Sequence, residues 1–146
     1  MSIGVFDFSL SATLAMPVTH LFEAFQKTEL LVQWFAPGNI IITQVMSNFE
    51  EAGRFRITMQ EPSGVQYVLT GEYSTIRPNE SLMFSWAWED NQEESVMTSV
   101  NVSFEEVDAH TSHLTLIHSG FSNEQERDQH QQGWVACLEK LSKLKA

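Results

Sequence analysis

From Ile40 to Ile117 the chain is written as a series of short alternating runs, and this limits its fold more than any other feature. Apolar side chains recur at every second position in Phe55-Ile57-Met59, Tyr67-Leu69, Leu82-Phe84-Trp86-Trp88, the run from Val96 to Phe104, and Leu114-Leu116. Successive side chains of a strand point to opposite faces, so such runs read as half-buried strands. Turn-forming residues separate them: Glu51-Ala52-Gly53, Pro62-Ser63-Gly64, Pro78-Asn79-Glu80, Asp90-Asn91 and Asp108-Ala109-His110. Connections this short join neighbouring strands as antiparallel hairpins, and about six strands are expected over this stretch. Another precedes them, where Phe6, Phe8, Leu10, Ala12 and Leu14 alternate with Asp7, Ser9, Ser11 and Thr13.

Two short helices are expected between the first strand and the rest. Pro17 opens one, with Leu21, Phe22 and Phe25 at helical spacing, a favoured setting for proline. Thr28 reads as the cap of the other, which runs through Leu30, Leu31 and Trp34 to a stop at Pro37-Gly38. After the last strand the period changes. Ser122 and Gln125 read as a capping box, and His130, Trp134, Cys137, Leu138 and Leu141 share one face of a helix expected over Asn123 to Leu144. Lys140, Lys143 and Lys145 suit its negative C-terminal end. A sheet with one apolar face has to be covered, and only this helix is long enough to do it. The expected class is therefore α+β: a curved antiparallel sheet gripping a long C-terminal helix, in a single domain over residues 1–146. Such a grip leaves space between sheet and helix, a default place for an apolar ligand.

Composition narrows the function. With 19 acidic and 8 basic residues the net charge is −11, which argues against nucleic acid, since phosphate contacts need Lys and Arg. No apolar stretch approaches a membrane span. The segment Met1 to Leu14 lacks the basic start of a signal peptide and is interrupted by Asp7, Ser9 and Ser11. The lone cysteine, Cys137, allows no internal disulfide and fits a reducing cytoplasm. In its apolar helical run it reads as a buried thiol rather than a nucleophile. The acidic segment Glu89, Asp90, Glu93 and Glu94 lacks the spacing of a calcium loop. No phosphate loop, serine elbow or HExxH motif occurs.

Seven pieces of sequence then occur in an order that resembles the START-like helix-grip superfamily. They are Leu31 to Pro37 (LVQWFAP), Gly53-Arg54-Phe55, Met59 through Pro62-Ser63-Gly64, and Gly71-Glu72-Tyr73 ahead of Ile76-Arg77-Pro78. Leu82-Met83-Phe84-Ser85-Trp86, His118-Ser119-Gly120-Phe121 and His130-Gln131-Gln132-Gly133-Trp134 complete the set. Within the superfamily the chain is similar to the family related to the C-terminal domain of the activator of the 90-kDa heat-shock protein ATPase. The co-chaperone itself carries a further N-terminal domain that engages the chaperone, for which this chain has no room. The superfamily also includes lipid carriers, polyketide cyclases and aromatases, so the resemblance implies hydrophobic ligand binding as the commonest thread.

The candidate ligand-binding residues are Phe55, Met59, Tyr67, Trp86, Trp88, His118, His130 and Trp134. The aromatic strand residues serve equally as pocket wall or as core, and tyrosine hydroxyls are able to orient a ligand. Trp34 and Phe35 either gate the pocket mouth or dock the second helix on the sheet; docking is expected for Trp34, with apolar loop residues after it as the gate. His118 and His130 are placed to meet at the corner between last strand and terminal helix. There they either cap or hydrogen-bond that corner, or bind a metal or move a proton at neutral pH; a metal usually needs a third ligand, and no compact His/Cys/Asp/Glu motif stands out. Gly133 costs its helix about 1 kcal/mol relative to alanine, so close helix-on-sheet packing or space for a ligand must account for it. The expectation is an apolar small-molecule binding protein with no cofactor and no metal. The alternatives are a cyclase- or hydrolase-like enzyme using a pocket histidine, and a protein-interaction module for a chaperone or other protein. A homodimer is compatible with each.

Overall fold

The computed structural model describes residues 6–89 and 97–144. The elements run β1 (Phe6–Leu14), α1 (Val18–Gln26), α2 (Thr28–Leu31), β2 (Ile41–Ser47), β3 (Arg54–Gln60), β4 (Gln66–Arg77), β5 (Ser81–Trp88), β6 (Thr98–Asp108), β7 (Thr111–Phe121) and α3 (Glu124–Ser142). The strands form one antiparallel sheet in the order β1-β7-β6-β5-β4-β3-β2. Each hairpin therefore joins neighbours, and β1 and β2 form the two edges. The expected turn at Asp90-Asn91, the start of the run at Val96, and Asp90, Glu93 and Glu94 lie outside the described residues.

Register shifts bend this sheet, within β4 between Tyr73 and Thr75 and within β2 between Ile42 and Gln44. An extra residue on one strand increases local twist and curves it. Gly71 completes the bend. A Cβ there would lie 2.1 Å from the Ser85 carbonyl oxygen and 2.3 Å from the Phe55 ring, so β4 approaches β5 and the Phe55 side chain more closely than any other residue would allow.

The helix ends refine the sequence reading. Asn123, not Ser122, caps α3: its side chain accepts from the Glu126 backbone N–H at 2.8 Å. Ser122 contacts the Glu126 carboxylate instead, so the box expected one residue earlier does not form. Thr28 is the first residue of α2 rather than its cap, and Lys27 occupies the cap position without a side-chain bond. Trp34 follows α2 and is fully buried, its indole N–H donating to the Ala24 carbonyl at 2.9 Å. That bond ties the end of α2 to α1, where docking on the sheet was expected. On α1, Phe22 and Phe25 set their edges against Phe104 of β6. Along α3, Trp134, Cys137, Leu138 and Leu141 are the buried positions, spaced as one helical face. No helix among the described residues is long and apolar enough to cross a membrane.

Candidate functional site

Between the concave sheet face and α3 lies a cleft of about 690 Å3. Strands β3 to β5 supply Met59, Tyr67, Trp86 and Trp88 to its wall, and Glu61 follows β3. Phe35, Pro37 and Ile40 come from the segment after α2. From α3 come Glu126, Gln129, His130, Gly133, Trp134 and Cys137. The walls are aromatic because the even positions of β5 face inward: Leu82, Phe84 and Trp86 are buried in turn. Trp86 lies at the centre of the ring cluster, with centroids 5.9 Å from Phe35, 5.7 Å from Trp88 and 5.5 Å from Trp134.

Six of the eight sequence-derived site residues meet at this cleft: Met59, Tyr67, Trp86, Trp88, His130 and Trp134. The structure does not bring the other two to its surface. Phe55 sits one strand step deeper, packed against Tyr73 and edge-on to Phe84. His118 is fully buried behind the wall, 5.0 Å from the Trp86 ring. Of the apolar loop residues after Trp34, Pro37 and Ile40 line the cleft. Sequence reasoning did not select Glu61, Glu126 or Gln129, which lie outside any apolar periodicity. Gly133 it did single out. A Cβ there would meet only the Pro37 ring, at 3.9 Å, so close packing does not require glycine and the position keeps the cleft wide.

The two histidines approach to 5.6 Å between ring centroids, and their hydrogen bonds fix both as neutral. The Trp134 indole N–H donates to His118 Nδ1 at 3.1 Å, which makes Nδ1 an acceptor. The one proton of a neutral imidazole then sits on Nε2, 2.7 Å from the Thr98 hydroxyl oxygen, and that hydroxyl donates in turn to the Trp86 carbonyl at 3.2 Å. Trp88 repeats the arrangement, its N–H donating to His130 Nε2 at 2.9 Å. His130 Nδ1 then donates to the Glu126 carbonyl at 2.7 Å. Protonating either ring would set two N–H groups against each other. Burial, aided by the neighbouring His130, pushes the His118 pKa down to about 3. Burial also lowers that of His130, against the pull of the Glu126 carbonyl and carboxylate. Cys137 is likewise held uncharged, its thiol pushed up to about 12 by burial.

Both tyrosine hydroxyls are engaged: Tyr73 with Ser47 at 2.8 Å, and Tyr67 donating to the Glu61 carboxylate at 2.9 Å. The Trp86 indole N–H is the exception. Trp86 is only 7% exposed, and its buried Nε1 has no acceptor among the described residues. No group of three or more His, Cys, Asp or Glu side chains able to hold a metal occurs among them either.

A curved antiparallel sheet closed on a C-terminal helix, with an aromatic cleft between, defines a START-like helix-grip protein. The chain belongs to the family described as activator of Hsp90 ATPase homolog 1-like protein, whose sequence pattern it matches over residues 15–146. No curated protein matches the sequence. Among solved structures it is similar to the AHSA1 protein from Silicibacter pomeroyi, with a TM-score of 0.84 and 24% identity, covering 94% of this chain and 95% of that one. A protein from Chromobacterium violaceum superposes with a TM-score of 0.85 at 17% identity, covering 94% and 96%. One from Nitrosomonas europaea does so with 0.79 at 19%, covering 94% and 92%. Likeness at this level of identity establishes the fold.

Proposed function

We propose that this protein is a cytoplasmic, non-enzymatic binding protein for a hydrophobic small molecule, which enters the cleft between β3–β5 and α3. One observation carries the reading: a cleft of about 690 Å3 between sheet and helix, walled by Trp86, Trp88 and Trp134. Small-molecule sites are typically about 300–1,000 Å3, mostly apolar, with a few polar groups that fix orientation. Both histidines have their lone pairs occupied by indole N–H groups, so neither is available as the base that a cyclase or hydrolase would need.

The reading is tested by thermal denaturation against a library of neutral apolar compounds. A ligand at about 100 times its Kd adds about 2.7 kcal/mol of stability, so a Tm rise of several degrees is expected for the best compounds. Trp86→Ala removes the centre of the aromatic wall and should abolish that rise in the folded variant. A library that moves Tm nowhere would sink the reading.

A further inference from the structure

We propose that the natural ligand of the cleft is an organic cation: an amine or quaternary ammonium carried on an apolar body. This rests on the binding reading above and adds the sign of the ligand's charge.

The charged side chains that line the cleft are Glu61 and Glu126, and neither lysine nor arginine joins them among the described residues. Two cations lie nearby: Arg127 pairs with Asp128, and Lys140, one turn from Cys137, keeps its charge while donating to the Ala36 carbonyl. Neither histidine supplies positive charge, since each ring nitrogen is already committed. The N-terminal end of α3, a potential anion site by its dipole, is capped by Asn123 and carries Glu124 and Glu126 in its first turn. An anionic headgroup at the corner of Glu61, Tyr67 and Trp88 would therefore lose water and face a carboxylate, which is strongly unfavourable.

An ammonium group meets the opposite situation. Tyr67 and Trp88 stand edge to face at 6.3 Å, and the Tyr67 hydroxyl holds the Glu61 carboxylate at 2.9 Å. Aromatic faces beside a carboxylate are the chemistry that recognises ammonium and quaternary ammonium groups. Tyr67 is 37% exposed, so this corner is reached from solvent, while the body extends along Trp86 and Trp134. The acidic charge of −11 raises the local concentration of cations further.

The test is calorimetric titration, at physiological salt and below micelle-forming concentration, of three probes sharing one chain: octyltrimethylammonium, octanol and octanoate. The cation is expected to bind at least about tenfold more tightly than octanol, with octanoate weakest. Glu61→Gln should erase most of that advantage and leave octanol unchanged. Glu106→Gln, on the exposed part of β6, should change none of the three and so separates the site from net charge. Octanol matching the cation, octanoate binding best, or equal losses in the two variants would each overturn the charge assignment alone. If no probe binds, the cleft reading falls with it.

Discussion

Acidification from pH 7 to pH 5 is expected to destabilise this protein by about 2 kcal/mol through His118 alone, at about 1.4 kcal/mol per pH unit for each extra proton bound on unfolding. The folded state holds His118 neutral to about pH 3, while the unfolded chain takes up a proton near 6.5. Unfolding therefore binds a proton across that window. The stabilisation is complete above pH 6.5 and is lost as the pH falls toward 3. His130 is shifted in the same direction and adds to the loss. The lowered carboxylates act later: the Arg56 guanidinium holds Glu89 down from 4.5, and the His110 N–H holds Asp108 down from 3.8. Their contribution is present above those ordinary values and is lost only below them. Urea unfolding at several pH values measures the slope. His118→Gln retains an acceptor and a donor without titrating, so it should reduce the slope by about one proton between pH 6.5 and 5. An unchanged slope would mean that His118 is not held neutral.

Trp34→Ala should cost about 3–5 kcal/mol, the range for removing a large aromatic from a packed core. Trp34 is fully buried and meets Phe25 at 4.8 Å, Phe35 at 5.2 Å and Trp134 at 6.5 Å. Its loss also leaves the Ala24 carbonyl without its indole donor. Because Phe35 lines the cleft, the damage should reach the site as well as the fold. Trp34→Phe, which keeps most of the ring contacts, should cost less than half as much. Chemical denaturation of both variants measures the difference, and a loss below about 1 kcal/mol for Trp34→Ala would contradict the docking role, being far under the usual cavity cost.

The sheet was legible because its signal is local. Alternation in Leu82-Phe84-Trp86-Trp88 fixes which way β5 faces, and short turns fix its neighbours. The register shifts that curve β2 and β4 leave no trace in that period, so the depth of the cleft was not readable. Phe55 shows the limit. It shares the face of Ile57 and Met59, but curvature places it against Tyr73 and Phe84 while Met59 reaches the cleft. His118 and His130 could be put at one corner from sequence. That each accepts an indole N–H depends on side-chain geometry across 16 residues in one pair and 42 in the other, distances over which residue spacing says nothing. The caps each moved by one residue: Ser122 and Asn123 are nearly equal cap formers, while Lys27 precedes Thr28 at the start of α2 without a side-chain bond. Gly133 was the most informative single residue: a helix-weakening glycine with no packing need beside a cleft.

Gly133 also supplies the most direct test. Leucine favours helix over glycine by roughly 1 kcal/mol, so Gly133→Leu should fold as stably as the parent while its side chain fills the cleft. Nile red, a neutral apolar dye, should titrate the parent as one saturable site, and should bind Gly133→Leu at least about tenfold more weakly, as expected when a pocket's apolar contacts are replaced by the protein's own side chain. Equal binding by the two folded proteins, or none by either, would contradict a ligand site between β3–β5 and α3.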